Sequence, residues 1–220
     1  MKKFVLAITC LAGISLSASA QYVRFGVKGG VTGTLANLES TPFYRNDGNE
    51  LGVGGYIGGQ AEVSFKKRTD KFKMQLEVLA NYNTLRNEIE TLGFVDGDTR
   101  MNIHSVAIPL LAKYFFQPNF SLYVGPTFNI NFLSRYATKV EPSTKWAYSN
   151  EDNAKKALNP FQVGVMAGAN YYIHKGLYLE ARYQLIAPSV TDNTTYGIPN
   201  YGNINNFSIG LGYKFKNRAK

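Results

Sequence analysis

Across residues 105–132 the chain reads SVAIPLLAKYFFQPNFSLYVGPTFNINF, and apolar and polar positions alternate. In the second half Phe120, Leu122, Val124, Pro126, Phe128, Ile130 and Phe132 share one side of an extended strand. Ser121, Tyr123, Gly125, Thr127, Asn129 and Asn131 share the other, as a period of two requires. The first half puts Val106, Ile108, Leu110, Ala112, Tyr114 and Phe116 together, and Gln117-Pro118-Asn119 leaves room for a tight reversal. This predicts a hairpin with one unbroken apolar side. Its polar side is built from small neutral groups that fill a narrow barrel, where a water-facing strand would display Lys and Glu. The apolar side therefore points outward, to lipid.

The pattern recurs over residues 23–32, 52–65, 72–83, 161–173, 177–187 and 205–215, which with the hairpin makes eight strands. Each is long enough to cross a bilayer when tilted. The connections 66–71, 117–119 and 174–176 are short, whereas 33–51, 84–100, 137–160 and 188–204 are long and polar. Short turns on one rim and long loops on the other predict an all-β fold, an eight-stranded antiparallel up-and-down transmembrane β-barrel of an outer membrane. An even strand count puts both termini on the short-turn, periplasmic side. Phe65, Phe72, Tyr114, Phe116, Phe120, Tyr171 and Phe215 would form a lower aromatic girdle, and Tyr82, Phe132, Phe161 and Tyr183 an upper one, at the depth such rings favour. Pro109 and Pro126 each remove a ladder donor, which predicts a bulge in the central hairpin.

The first residues change the picture by adding export. Met1-Lys2-Lys3 is a charged start, an apolar run follows, and Ala18-Ser19-Ala20 is a small-residue cleavage site; together they predict a cleaved signal peptide over 1–20 and one barrel domain over 21–220. The one cysteine, Cys10, lies inside the signal, so the exported chain would hold no disulfide and would rely on a closed sheet. The net charge of +9 becomes +7 once Lys2 and Lys3 are removed. A basic helix, zinc-ligand spacing and a basic run flanked by stacking aromatics are all missing from the sequence, which argues against nucleic acid as the partner. Anionic lipid headgroups are the expected use of the charge.

VRFGVKGGV near the start, IPLLAKYFF and LYVGPTFN in the middle, VGVMAGANYYI followed by LYLEARYQL, and FSIGLGYKF near the end together resemble the outer-membrane β-barrel family of Bacteroides-type bacteria, the "porin family" or PorT-like proteins, with OmpA- and OmpX-like eight-stranded barrels. The resemblance spans the region after the signal and implies lipid and the barrel assembly machinery as partners. It also implies a narrow porin-like conduit or an accessory role in protein secretion as alternatives to a structural or surface-interaction role. Such barrels often end on an aromatic of the last strand, whereas this chain continues for five residues beyond Phe215, so Tyr213 and Phe215 would serve assembly from inside the chain.

The predicted inward positions include Glu62, Glu77 and Glu180 with Arg24, Lys28, Lys73, Lys113, Arg135, Arg182 and Lys214. Buried charges must pair, so Arg24, Lys28, Glu62, Glu77, Lys113, Glu180 and Arg182 are the expected lumen network. An extracellular ligand or secretion partner would meet the loops, where Trp146, Tyr148, Tyr196 and Tyr201 are the candidate contacts. Catalysis is not expected, because His104 and Ser105 point to opposite faces of a strand and His174 sits in a turn on the other rim. No cofactor or metal is expected either: the segments 46–50 and 96–98 have calcium-like composition but no closing bidentate acid, as a calcium loop needs. A soluble lipocalin-type barrel, with its apolar side inward, is the competing fold.

Overall fold

A backbone amide in hydrocarbon finds no water, so a sheet that crosses a bilayer must leave no free edge. The computed structural model of the protein, which describes residues 22–38, 44–65, 71–91, 95–140, 145–148, 158–187 and 201–215, meets that condition. Its strands are β1 (Tyr22–Leu38), β2 (Tyr44–Glu50), β3 (Gly52–Ser64), β4 (Phe72–Thr91) and β5 (Val95–Gln117), then β6 (Phe120–Val140), β7 (Ala147–Tyr148), β8 (Phe161–His174), β9 (Leu177–Ala187) and β10 (Tyr201–Lys214). β2 and β3 both pair with β4 and make one wall interrupted at Leu51, while β7 is a short addition to β6. The eight walls pair antiparallel in sequence order, and β1 closes on β10 from Gly26↔Lys214 to Leu38↔Tyr201. The fold is a closed antiparallel eight-stranded barrel.

The outward and inward assignments follow the sequence pattern through the middle of the wall. Ile57 is 70% exposed and Val31 65%, whereas Asn129 on the lumen side is 2% exposed. A soluble ligand-binding barrel has the reverse polarity, so the lipocalin alternative does not describe this chain. The short reversals are tight: Pro118 and Asn119 turn β5 into β6, and Lys175 and Gly176, both at positive φ (31° and 112°), turn β8 into β9. Two central residues at positive φ are the mark of a type I′ hairpin.

Three expectations are corrected. Parts of the predicted long loops are strand: β1 runs on to Leu38, and β4 and β5 stay paired up to Thr91↔Val95. Pro109 and Pro126 do not cause bulges; the pairing skips 77–78 against 108–109 and 110–111 against 125–126, then resumes in the same register. The nearby register shift falls between His104 and Ser105, opposite Phe132, where β6 carries one extra residue. That bulge turns the pleat by one step, so Ser134 is buried and Arg135 is exposed on the outer face instead of lying in the lumen.

The extra strand length shows a change of rule along the wall. A tilted strand needs roughly 9–11 residues to cross the hydrocarbon, and β4, β5 and β6 have 20, 23 and 21. Beyond the apolar band their outer face carries Arg86, Glu88, Arg100 and Arg135, while Leu85, Met101, Ile103 and Tyr136 are buried inside. Above the lipid the barrel is built as a soluble protein is, apolar within and charged without. The polarity inversion marks the edge of the bilayer on the long-loop side.

Candidate functional site

The lumen holds two charged layers. In the middle one, Lys28 of β1 donates to Glu77 Oε1 of β4 at 2.5 Å and to Glu180 Oε1 of β9 at 2.8 Å. Arg182 donates to Glu180 Oε2 at 2.5 Å and to Glu77 Oε2 at 3.4 Å. Two cations thus meet two carboxylates and the layer is neutral, which is the condition for holding charge out of water. Tyr123 of β6 donates to Glu180 Oε1 at 2.5 Å, Tyr56 of β3 to Glu180 Oε2 at 3.3 Å, and Gln75 of β4 to Glu77 Oε1 at 2.5 Å. The Arg182 guanidinium also lies 4.4 Å from the centre of the Tyr56 ring. Walls on opposite sides of the axis are tied through this cluster.

The second layer, toward the short-turn rim, is centred on Glu62. Lys73 and Lys113 approach it at 3.2 and 3.6 Å, and Lys214 makes a closer contact. One carboxylate serves three ammonium groups here. Aromatic faces take up part of the remaining charge: Lys113 and Lys214 each lie 5.3 Å from the Tyr172 ring centre and 5.7 Å from that of Tyr178, and Lys73 lies 4.8 Å from Phe115. Lys113 also donates to Tyr172 Oη at 3.0 Å and to Gln75 Oε1 at 3.3 Å, which joins the two layers.

Of the seven residues expected in the network, Lys28, Glu62, Glu77, Lys113, Glu180 and Arg182 come together as described. Arg24 does not: it stands opposite Glu62 in the register of β1 and β3, but it is half-buried and its Nε has no hydrogen-bond partner. Lys73 and Lys214 are full members. The tyrosines were not foreseen as members, and their placement has a simple cause. Tyr123 pairs across the sheet with Gly168, and Tyr178 with Gly212; a Cβ on either glycine would strike the tyrosine ring at 2.2–2.5 Å. The missing side chain is the seat of the ring.

Above the middle layer Thr32, Asn83, Gln184, Asn206 and Ser208 surround a cavity of about 10 Å³, the size of a single water. Above that, Ala36, Leu85, Met101, Ile103, Tyr136, Leu158, Ile186 and Ile204 form an apolar cap. The cap was not foreseen, because Ala36, Leu85, Leu158 and Ile204 fall in segments assigned to loops and Met101, Ile103 and Tyr136 lie outside the assigned strands. The signal was present: Met101 and Ile103 are in phase with Ser105, Ala107 and Leu111.

Of the loop candidates, Trp146 and Tyr148 are exposed, at 37% and 74%. Tyr201 belongs to β10, paired with Leu38, and its side chain lies outside the described residues, as does all of Tyr196. His104 faces outward, 5.0 Å from the Tyr82 ring and 6.4 Å from that of Phe132, and Ser105 is buried on the opposite face. Among the described residues no three His, Cys, Asp or Glu side chains gather at metal-binding distance. Asp98, in one of the calcium-like segments, pairs with Lys139 at 3.5 Å.

A closed eight-stranded wall with an apolar outer band and a charged, filled lumen defines a transmembrane barrel of the outer-membrane type. The chain belongs to the family described as outer membrane protein beta-barrel domain, whose model matches residues 15–185, and it is an outer-membrane protein. Among solved structures it is similar to Neisserial surface protein A, at 16% identity over 89% of this chain and 100% of that one, with a TM-score of 0.49. It is also similar to the attachment invasion locus protein Ail of Yersinia pestis (15% identity, 87% and 98% covered, TM-score 0.42) and to OprG of Pseudomonas aeruginosa (14%, 90% and 99%, 0.44). No curated protein matches the chain.

Proposed function

We propose that the protein is a non-conducting, non-catalytic outer-membrane barrel that acts through its long-loop end. Export by the signal peptide, insertion by the barrel assembly machinery and a periplasmic position for both termini belong to the same reading. The observation that carries it is the stacking of the apolar cap over the neutral Lys28–Glu77–Glu180–Arg182 layer. An ion on the axis would lose its hydration in the cap and then have to break paired charges in a medium of low dielectric. The lumen's strength goes into cross-linking the walls, and the charged extension above the lipid offers the surface for contact. A narrow anion-preferring conduit is the second reading, favoured by the three lysines around Glu62, though the cap lies between them and the long-loop side.

Planar-bilayer recording of the purified barrel separates the two. Reconstituted protein is expected to leave the membrane at its baseline conductance across ±100 mV, a range chosen on the order of biological membrane potentials. Discrete, reproducible steps that scale with protein added and with chloride concentration would establish the conduit instead.

A further inference from the structure

The layer around Glu62 holds more positive charge than the described residues match. Lys113 and Lys214 are buried to the ends of their side chains and share that one carboxylate, itself buried. Lys73 stands directly opposite Lys113 in the register of β4 and β5, and its side chain keeps 8% of its surface exposed. With Lys73 served by water, the fully buried groups still carry one positive charge too many. Such a charge is costly away from water unless a counter-charge meets it. The tyrosine faces around it soften the field but bring no net charge. The segments that adjoin this end of β3, β4 and β10 in sequence, 66–70 and 216–220, hold six basic residues and one acid, Asp70.

The hydrogen bonds of the layer show where a counter-charge would sit. Lys113 donates to Tyr172 Oη and Gln75 Oε1, and the Asn170 amide is turned to accept from it at 2.5 Å. These oxygens are neutral, so they satisfy the N–H groups and leave the charge. Lys214 has three N–H groups to give, and among the described residues Glu62 is the one acceptor it meets. Its ammonium end also lies within hydrogen-bond reach of that of Lys113, an arrangement that two cations do not hold unaided. On the facing wall Ser121 of β6 is fully buried and its hydroxyl has no hydrogen-bond partner. It stands opposite Asn170 and Phe115, one inward position from Lys113 along β5.

We infer that the lumen binds one small monovalent inorganic anion, of the chloride class, between the ammonium ends of Lys113 and Lys214 and the hydroxyl of Ser121. The ion parts the two cations, brings the buried charge of the layer to zero and takes up the unused hydroxyl. It is a resident counter-ion that ties β5, β6 and β10 together, as the Lys28–Glu77–Glu180–Arg182 set ties the walls above it. The site does not depend on whether the lumen conducts, since bound anion and membrane current are read separately.

Full-length protein folded in detergent micelles is unfolded with urea at one pH and one ionic strength, in sodium chloride and in sodium gluconate. Gluconate is too large for a gap between side-chain tips, and heat-modifiable gel migration reads the folded fraction. Replacing chloride by gluconate is expected to raise the wild-type unfolding equilibrium constant about tenfold, the effect of withdrawing a ligand held at about ten times its dissociation constant. K113M is expected to lose that dependence, and K71M, an exposed lysine just before β4, to keep it. S121A is expected to lose part of it and carries the test if K113M does not fold. Equal stability of wild type in the two salts would overturn the assignment, as would a chloride effect of full size in both K113M and S121A. Stability that ignores the anion but climbs as the pH nears the lysine range would overturn it too, by showing that one of the two lysines is held neutral instead.

Discussion

Glu180→Ala is expected to lower the unfolding free energy by about 3–5 kcal/mol, the range for removing one partner of a buried ion pair. Glu180 accepts from Lys28 at 2.8 Å, from Arg182 and Tyr123 at 2.5 Å each, and from Tyr56 at 3.3 Å. Its loss leaves two cations facing Glu77 alone, with two tyrosine hydroxyls deprived of an acceptor. Glu180→Gln keeps an acceptor oxygen and is expected to fall between the two. Urea unfolding in lipid vesicles, followed by the gel-mobility shift of the folded barrel, measures both. A cost under about 1 kcal/mol for the alanine variant, the size of a surface ion pair, would show that the middle layer does not hold the walls together.

The second large effect lies on the other side of the wall. Ile209 is outward on β10, opposite Val31 and Ala181, between the level of Tyr213 and that of Phe207. Ile209→Arg is expected to cost about 2–4 kcal/mol, as a cation does near the bilayer midplane, and the same change at Asn205, beside Tyr183 near the upper girdle, about 0–1 kcal/mol. The same vesicle assay reads both. The depth dependence matters more than either value: equal costs at the two positions would mean that Ile209 does not face hydrocarbon.

These two effects also show how much of the molecule was legible before its structure. Alternation alone separated Ile209 from Ser208 and Asn129 from Phe128, since a strand has two faces and lipid tolerates one kind of side chain. The inward charges were legible for the same reason. What alternation does not contain is register: that Lys28 meets Glu77 and Glu180, while Arg24 stays at the margin, depends on how β1, β4 and β9 are offset around the ring. Register also seats Tyr123 and Tyr178 on glycines of the neighbouring strand. Arg135 was misassigned because an extra residue at Phe132 shifts the pleat, and neither nearby proline marks that position. The segment carrying Leu85 looked like a loop because its outer residues are charged, and Met101 and Ile103 fell between that loop and the assigned hairpin. Their alternation was intact, with the polarity reversed as the wall leaves the lipid.

That reversal is the centre of the account, and accessibility of nitroxide labels to two collision partners tests it most directly. In a chain with Cys10 replaced by Ser, single labels at Val165 and Ile209 in the band and at Glu88 and Arg100 above it are compared in vesicles. Oxygen, which partitions into hydrocarbon, is expected to dominate relaxation at Val165 and Ile209, and a water-soluble nickel chelate to dominate at Glu88 and Arg100. Nickel access at Val165 and Ile209, or oxygen-dominated relaxation at Glu88 and Arg100, would contradict it.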